Sequence, residues 1–349
     1  MSLAPSNGEH IDVRDADSES AWNDYVAQHA DASPYHEYGF LKAVKSAFGR
    51  KTHPLVAYRG QQIVGILPLV QLKSLAFGNF MVSVPYVTYG GALFDDTSAR
   101  QALVDAAIDK ANTLGCKHLE LRDLSPMDGL PVRTDKVTMQ LKLPETGDQM
   151  FADFSKKLRA QIRRPKKAGA ESAIGGIELL DDFYAIVSRK YRDLGVPIYG
   201  KDWFRQLLLW QPEHSHIAVV RLEGEIVAAG LLVGDRGRME VPYAASVREH
   251  DKLSVNMLLY WAMIETSIER GYQHFDFGRT TPDSGTHRFK RQWGAEPVQL
   301  YWHYWLRDGG PAPKLNADNG KFGLAVSLWR KLPVWLANRI GPHIVKNLP

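Results

Sequence analysis

Residues 271–297, GYQHFDFGRTTPDSGTHRFKRQWGAEP, contain the pattern around which the rest of the chain is organised. Gly271 ends a long segment of apolar residues at helical spacing, as a left-handed helix cap does. The tripeptide Phe275–Phe277 then alternates apolar, acidic and apolar, which is the period of a strand. A helix that leads into a strand carrying a carboxylate, followed by Arg279 and Lys290, predicts a place for chemistry. A strand with a solvated loop after it is the alternative.

The composition is that of an ordinary packed globular protein. The chain has 349 residues, enough for two domains, and a formal net charge of only +4. Its one cysteine, Cys116, excludes a disulfide framework and a thiolate metal site within the chain. The segment Met1–Asp17 lacks the apolar core of a signal peptide, and no apolar run of about 18 residues occurs. We therefore expect a soluble cytosolic protein.

The order of predicted elements occurs twice along the chain. Each copy runs helix, hairpin, strand, helix, strand. Four ordered matches, at offsets of 157, 156, 163 and 164 residues, are Val84–Tyr86 with Val241–Tyr243, Gly115–Leu121 with Gly271–Phe277, Ile63–Val64 with Ile226–Val227, and Tyr35 and Phe40 with Tyr199 and Phe204. Because the offsets drift by only a few residues, we expect two copies of one α/β fold, each a mixed sheet flanked by helices.

The repeat divides the chain into three predicted parts. Residues 18–148 form the first domain, residues 149–307 the second, and residues 308–349 a linker with an amphipathic basic tail. Val82–Tyr89 is predicted as a strand of the first copy. Val298–Leu306 is predicted as an almost unbroken aromatic strand, buried on both faces, after the second copy.

A strongly basic segment lies between the two copies. Seven lysines and arginines fall within residues 156–167, and helical spacing places several of them on one side, a row suited to phosphate groups. A solvated helix face is the alternative. We predict that Arg159, Arg163 and Arg164 bind an anionic substrate group in a cleft between the copies. A nucleotide-linked sugar, a lipid pyrophosphate and a tRNA backbone all fit this prediction.

These features together resemble the Fem (FemAB) family of peptidyltransferases, whose members are built from two acetyltransferase-type (GNAT) domains. The resemblance covers residues 20–305, and its motifs are the basic run Lys157–Arg164 with Lys167 and Gly169, the helix Asn256–Gly271, the tetrapeptide Phe275–Gly278, and Phe289-Lys290 followed by Trp293-Gly294. The pattern is most similar to the Fem-like proteins of bacterial exosortase/PEP-CTERM exopolysaccharide gene clusters. The resemblance implies tandem GNAT-like domains and transfer of an amino acid from aminoacyl-tRNA to an amine of a cell-wall precursor.

Two departures from the family pattern concern the donor. GNAT enzymes that use acyl-CoA cradle its pyrophosphate on a Gly-rich loop before a helix, but the corresponding loop Ser246–Lys252 has no glycine. The helical coiled-coil arm that some Fem enzymes insert in their second domain is absent, since residues 169–217 leave no room for it. Aminoacyl-tRNA and acyl-CoA both stay open as donors, and the sequence assigns no bound cofactor and no metal.

Acyl transfer to an amine without a covalent intermediate needs a base, an oxyanion stabiliser and alignment of the reactants. Asp276 is predicted to orient or deprotonate the amine, with pairing to Arg279 as the structural alternative. The family's Phe-Lys motif implies that Lys290 lies at the reacting carbonyl or a donor phosphate, on a loop that contributes little packing. His287 is a further candidate base, with a mobile loop as its alternative. Further substrate contacts are predicted for Phe289, Arg279, Tyr199 and Tyr243, against core packing for Tyr199.

The predicted function is a Fem-like acyl or aminoacyl transferase acting on an amine of a phosphate-bearing cell-envelope or exopolysaccharide precursor. The alternatives are an N-acyltransferase that uses acyl-CoA and a non-catalytic protein that holds an exopolysaccharide intermediate for a membrane complex. Beyond Gly320 the tail carries Trp329 and Trp335 among basic residues, which predicts peripheral contact with the inner membrane surface. Docking onto the protein's own second domain is the alternative.

Overall fold

The computed structural model of the chain describes residues 10–312 and 320–348, without the side chains of residues 320–322. Residues 1–9, most of the predicted linker (residues 313–319) and residue 349 lie outside the described part. Within the described ranges, no helix combines the length and the apolar content that crossing a membrane requires.

The first half follows the predicted order of elements. Its helices are α1 (Glu19–Gln28), α2 (Tyr38–Phe48) and α3 (Thr97–Thr113). Its strands are β1 (Ile11–Asp15), β2 (Lys51–Thr52), β3 (Leu55–Arg59), β4 (Gln62–Leu67), β5 (Val70–Ser74), β6 (Gly78–Val82), β7 (Leu93–Phe94), β8 (His118–Asp123), β9 (Val132–Arg133) and β10 (Val137–Lys142). Local signals set the ends of α3: the Asp96 carboxylate accepts a hydrogen bond from the Ala99 N–H, and Gly115 follows with φ +70°.

The second half repeats this order after two additional helices. Its helices are α4 (Gly147–Asp153), α5 (Lys156–Lys167), α6 (Leu180–Leu194), α7 (Lys201–Trp210), α8 (Val255–Glu269) and α9 (Gly285–Arg291). Its strands are β11 (Glu171–Gly175), β12 (Ser215–Leu222), β13 (Glu225–Asp235), β14 (Arg238–Ser246), β15 (His274–Thr280), β16 (Glu296–Gln299) and β17 (Tyr301–Leu306). Gly271, with φ +79°, separates α8 from β15 as predicted.

Three sheets organise these strands. Their strand orders are β1-β3-β4-β7, β2-β5-β6-β8-β17-β9 and β11-β12-β13-β14-β15-β10-β16. The seven-stranded sheet is covered on both faces, because alternate residues of β12 enter different cores. Ala218 and Val220 pack with α8, whereas Ile217 and Val219 pack with α6 and α7. The mixed α/β architecture predicted from the repeat is confirmed.

The two halves exchange strands. Strand β10, from the first half of the sequence, lies between β15 and β16 in the seven-stranded sheet. Strand β17, from the end of the second half, pairs with β8 and β9 in the six-stranded sheet. The boundary between residues 148 and 149 stays a prediction, and each large sheet is completed by a strand of the other half.

The predicted strand Val82–Tyr89 is wrong beyond its first residue. Strand β6 ends at Val82, and the chain then leaves the sheet. The buried guanidinium of Arg122 donates to the carbonyls of Val84 and Val87, at 3.3 and 2.6 Å. A side chain therefore occupies backbone acceptors that a neighbouring strand uses in a regular sheet.

The predicted strand Val298–Leu306 is two strands. β16 and β17 are separated at Leu300 and belong to different sheets. Burial on both faces holds only for the centre of β17, since Tyr301 and Trp305 are half-buried. Leu300 is itself buried, so the crossing from one sheet to the other occurs inside the protein.

The tail forms helices α10 (Gly320–Arg330) and α11 (Val334–Val345), which dock onto the chain itself. Ala337, Gly341 and Val345 are buried, and both helices contact α6. The Asn338 amide donates to Ser188 Oγ at 3.2 Å. The docking alternative is therefore what the structure shows, and membrane contact stays a prediction.

Candidate active site

Strands β14 and β15 run parallel but pair only at their beginnings. The paired residues are Arg238 with His274, Met239 with Phe275, and Glu240 with Asp276. Beyond this last pair, β14 continues to Ser246 and β15 to Thr280 without pairing with each other. The two strands therefore separate at Glu240 and Asp276 and leave backbone donors and acceptors facing an opening, which we call the strand opening.

Asp276 is fully buried where the strands separate, and both of its oxygens accept hydrogen bonds. The four donors are Thr138 Oγ1 at 2.5 Å, Gly278 N at 2.8 Å, the Tyr89 hydroxyl at 2.9 Å and Gln140 Nε2 at 3.2 Å. Arg279 is not one of these donors, so the alternative of an Asp276–Arg279 pair is wrong. Because both oxygens are occupied, the geometry favours the orienting role of Asp276 over the role of base.

Glu240 lies beside Asp276 and is 2% exposed. The Thr88 hydroxyl donates to Oε1 at 3.4 Å, whereas Oε2 has no hydrogen-bond partner in the described residues, although the Tyr35 hydroxyl lies nearby. Burial, reinforced by the charge of Asp276, raises the pKa of Glu240 to about 8. At neutral pH Glu240 is mostly protonated, and it loses this proton in the range in which a general base for an amine operates.

Lys290 lies on α9, 8% exposed, and not on a loop as expected. Its Nζ donates to the carbonyls of Gly278 at 2.8 Å and Arg279 at 3.0 Å. Burial lowers the pKa of Lys290 to about 8, while the negative charges of Asp276 and Glu240 oppose this fall. The fold therefore brings Lys290 close to Asp276, and the ammonium holds the end of β15 in place.

A bulge at Gly278 shapes this end of β15. Thr138 of β10 lies opposite Arg279 and Gln140 lies opposite Asp276, so one residue of β10 faces two of β15. Gly278 has φ +72°, which favours glycine, and its N–H turns back to Asp276 Oδ1. The bulge therefore both aims a donor at the buried carboxylate and presents carbonyls to Lys290.

His287 and Phe289 also lie on α9, and their contacts are structural. His287 is buried, and its Nδ1 accepts the Asp283 N–H at 3.2 Å, so the mobile-loop alternative is wrong and this nitrogen is occupied. Phe289 is half-buried and packs edge-on against Tyr260 and Trp293, with ring centroids 5.0 and 6.4 Å apart. The Phe-Lys motif thus fixes α9 to the core through Phe289 and to β15 through its lysine.

Arg279, Tyr199 and Tyr243 meet at a largely buried aromatic cluster where the two halves join, which we call the aromatic junction. The Arg279 guanidinium lies 5.2 Å from the ring centre of Trp302, and the rings of Tyr199 and Tyr243 are 6.3 Å apart. Tyr86, from the first half, contacts Tyr199 at 5.4 Å. Burial by the surrounding protein lowers the pKa of Arg279, although part of the residue is exposed to solvent. Three predicted substrate-binding residues are thus brought together.

The basic helix α5 lies away from this junction. Leu158, Ile162 and Pro165 turn its apolar face into the second-half core, and its basic face is outward. The recorded contacts are Arg159 Nη1 to Ala152 O at 3.2 Å, Arg164 Nη1 to Lys252 O at 3.2 Å, and the Arg163 guanidinium 5.0 Å from the Phe151 ring. These contacts stay within the second half. The predicted place of the basic residues in a cleft between the halves is therefore corrected: Arg164 borders the loop Arg248–Leu253 before α8, and Arg159 and Arg163 contact the residues before α5.

The donor loop is a 3-10 turn, Arg248–Leu253, followed by Ser254 with φ +61° and then by α8. Because β14 and β15 are parallel, their carboxyl ends and the beginning of α8 lie at the same edge of the sheet. The first N–H groups of α8 lack partners within the helix and favour negative charge. The described residues contain no cluster of histidine, cysteine and acidic side chains arranged for a metal.

The equivalent opening in the first half is closed by its own chain. Strands β6 and β8 also pair in parallel only at Met81 with Leu119 and Val82 with Glu120. The gap beyond is occupied by Arg122, whose Nε donates to Glu120 Oε1 at 2.7 Å and whose carbonyl accepts the Gly90 N–H at 3.0 Å. At the corresponding point of the second half lie the buried carboxylates of Glu240 and Asp276.

Sequence reasoning missed Glu240, Tyr89 and Arg238. Arg238 donates to the Tyr89 hydroxyl at 3.0 Å and so supports a donor of Asp276. The repeat does contain a signal for Glu240: it directly precedes the Val-Pro-Tyr match, whereas Ser83 precedes the same tripeptide in the first copy. The two copies therefore differ at this position, with a carboxylate in the second and a serine in the first.

Comparisons with known proteins identify the fold. Residues 152–291 match the family model described as an acetyltransferase (GNAT) domain. No curated protein sequence matches the chain. Among solved structures, FemX is similar with TM-score 0.65 and 14% identity, over 83% of this chain and 96% of that one. The C-terminal domain of a putative lysylphosphatidylglycerol synthetase from Agrobacterium fabrum is similar with TM-score 0.57 and 12% identity, over 89% and 93%.

A tandem GNAT protein from the clavulanic acid biosynthesis pathway is also similar, with TM-score 0.54 and 12% identity, over 87% of this chain and 100% of that one. Identities this low show a shared fold alone. This likeness extends along both halves, whereas the family model matches the second half alone. The chain therefore has a tandem, Fem-like GNAT fold, and its second half carries the acetyltransferase-type domain.

Proposed function

We propose that this chain is an N-acyl or aminoacyl transferase whose active centre is the strand opening of the second half. The observation that carries the proposal is the buried pair Glu240 and Asp276 at the point where β14 and β15 separate. The carboxylate of Asp276 has both oxygens occupied, whereas that of Glu240 has one oxygen without a hydrogen-bond partner among the described residues, near the Tyr35 hydroxyl, and a pKa raised to about 8. The GNAT domain match and the fold shared with FemX support transfer chemistry.

The residues divide the reaction between them. The acceptor amine attacks the acyl carbonyl, a C–N bond forms, and the ester C–O or thioester C–S bond to the donor breaks. Glu240 takes the proton of the amine and returns one to the leaving oxygen or sulfur, while Asp276 fixes the geometry. Lys290 and the N–H groups at the beginning of α8 provide positive charge for the oxyanion, which is the largest contribution in many acyl transfers.

Charge near the donor loop supports a phosphate-bearing substrate. Arg164 contacts the Lys252 carbonyl, so the outward basic face of α5 continues the edge at which α8 begins. The loop contains no glycine, which favours a tRNA backbone or nucleotide-linked group over the pyrophosphate of CoA. The resemblance to Fem-like proteins of PEP-CTERM clusters supports a cytosolic enzyme with a cell-envelope or exopolysaccharide precursor as acceptor.

A transfer assay with a donor panel tests the proposal. Purified protein is incubated with aminoacyl-tRNA or acyl-CoA and with nucleotide-linked or lipid-linked amino sugars, and acylated products are sought by mass spectrometry. We expect one donor class to give product, and Glu240→Gln to abolish it. The control Glu225→Gln changes an exposed glutamate at the beginning of β13 and leaves turnover unchanged.

The outcomes separate the alternatives. Product from acyl-CoA alone identifies an N-acyltransferase of the CoA-dependent kind. Tight binding of an acceptor without any transfer indicates a non-catalytic binding protein. Equal turnover by Glu240→Gln and the native chain removes the strand opening as the active centre.

A further inference from the structure

Exposed apolar side chains are concentrated at one place on the protein. The described residues contain eleven large apolar side chains that are exposed, and eight of them belong to the tail or to segments that contact it. These eight, which we call the apolar rim, are Leu75, Phe77, Leu194, Val196, Leu324, Leu328, Trp335 and Ile340. Clustering of this kind marks an interaction surface, whereas single exposed apolar residues need no explanation.

The tail is apolar on two faces. One face docks onto α6, where Asn338 donates to Ser188, and onto the segment after it, where Gly341 lies against Ile198. On the opposite side, Trp335 is 67% exposed and Leu324 is 65% exposed. Leu324 and Leu328 are four residues apart on α10 and therefore lie on one side of that helix. A tail that served only to cover the protein needs no second apolar face.

The hairpin between β5 and β6 adds to the same surface. Its tip carries Leu75, which is fully exposed, and Phe77. Arg50 joins this hairpin to the end of the tail, because its guanidinium donates to Lys73 O at 3.2 Å and to Lys346 O at 2.8 Å. Arg50 thus brings the base of this hairpin close to the end of the tail.

The tail and the hairpin loop carry charge of one sign. Residues 320–349 contain five lysines and arginines and no acidic residue, and the hairpin loop 73–79 also has no acidic residue. Arg330, Lys331 and Arg339 are exposed beside the rim. Exposed Trp and Leu with a basic border is the pattern of a surface that lies in the interface of an anionic membrane. A fully exposed hairpin tip also suits a fluid lipid surface better than a shaped protein groove.

We propose that the apolar rim binds the surface of an anionic lipid bilayer and thereby presents the aromatic junction to a membrane-carried acceptor. The tail reaches this junction, since the Tyr86 hydroxyl donates to Lys346 O at 2.8 Å and Tyr86 contacts Tyr199. Gly200, next to Tyr199, lies against Pro342 of α11. The membrane-carried acceptor rests on the proposed transferase function, whereas membrane binding does not.

Vesicle flotation of the full chain tests the surface. Vesicles of phosphatidylcholine with phosphatidylglycerol are compared with vesicles of phosphatidylcholine alone. We expect binding to the anionic vesicles that weakens with salt. The triple variant Leu324→Ser, Leu328→Ser, Trp335→Ser and the double variant Leu75→Ser, Phe77→Ser should each lower the partition coefficient by about tenfold or more.

The control Ile177→Ser, Leu209→Ser removes two similarly exposed apolar side chains outside the rim and should float as the native chain does. Circular dichroism confirms that each variant is folded. The proposal is overturned if the native chain stays unbound with anionic vesicles, or if the rim variants float normally. It is also overturned if the rim variants abolish only a self-association seen by light scattering, which identifies a second copy as the partner.

Transfer to a soluble amine separates this inference from the proposed function. Rim variants should lose flotation and keep turnover of a soluble acceptor, because no rim residue belongs to the strand opening. Flotation without any transfer leaves the surface in place and removes the transferase. Transfer without flotation supports the transferase and refutes the membrane-binding surface.

Discussion

Glu240→Gln should raise the stability of the protein at alkaline pH while it abolishes transfer. The pKa of Glu240 is raised from 4.5 to about 8, so between these values the folded chain keeps a proton that the unfolded chain has released. Stability of the native chain therefore falls as pH rises through this range, and the fall is complete above pH 8. At about 1.4 kcal/mol for each tenfold change in proton affinity, the full effect is about 5 kcal/mol.

Glutamine keeps the shape of Glu240 and its acceptor oxygen for Thr88 but never ionises. The native chain and the variant should unfold alike near pH 4.5. At pH 9 the variant should be more stable by about 3–5 kcal/mol, a rise of about 6–10 °C in melting temperature at about 2 °C per kcal/mol. Thermal and urea unfolding at a series of pH values measure the difference.

Glu120→Gln is the matched control. Glu120 is also a buried glutamate beside the end of a parallel pair, but it has the guanidinium of Arg122 at 2.7 Å. Its loss leaves a buried cation without its carboxylate and should destabilise the protein by about 3–5 kcal/mol. A Glu240→Gln chain that is less stable than the native chain at pH 9, or whose stability has the same pH dependence, refutes the reasoning.

Three further predictions concern the site. Lys290→Ala should lower turnover by about 10²–10³-fold with little change in KM. It should also lower the free energy of unfolding by about 1–3 kcal/mol, because two carbonyls lose their donor. Lys290→Arg should recover only part of the rate. Steady-state kinetics and urea unfolding check both, and native turnover in Lys290→Ala removes its catalytic role. The double variant Arg159→Ala, Arg163→Ala should weaken binding of a phosphate-bearing substrate by about 1.5–3 kcal/mol for each arginine–phosphate pair lost, and binding should depend less on salt. If calorimetry finds the affinity unchanged, the basic face of α5 is only a solvated helix face. Tyr89→Phe removes a donor of Asp276 and should shift the pH–rate profile, which a purely structural role does not move.

The sequence by itself determined the elements and their repetition. Three of the predicted features are local patterns: the apolar stripe of α8, its end at Gly271 and the alternation of Phe275–Phe277. Each depends only on the spacing of residues that are close together in the sequence. The same holds for the basic helix α5, whose bounds match the predicted segment 156–167. The family resemblance identified Lys290 as a candidate, but its position on a helix was not predicted. Gly285, at which α9 begins, is typical of a turn when the packing around it is unknown.

The tertiary structure decided which of these elements complete one another. Strand exchange by β10 and β17 depends on long-range pairing, which no local period encodes. Glu240 becomes chemically unusual only because Asp276 lies across from it and Thr88 covers it from the other half. Burial, and with it the raised pKa, is a property of everything packed around a group, so residues 36 or 152 positions apart in sequence set it together.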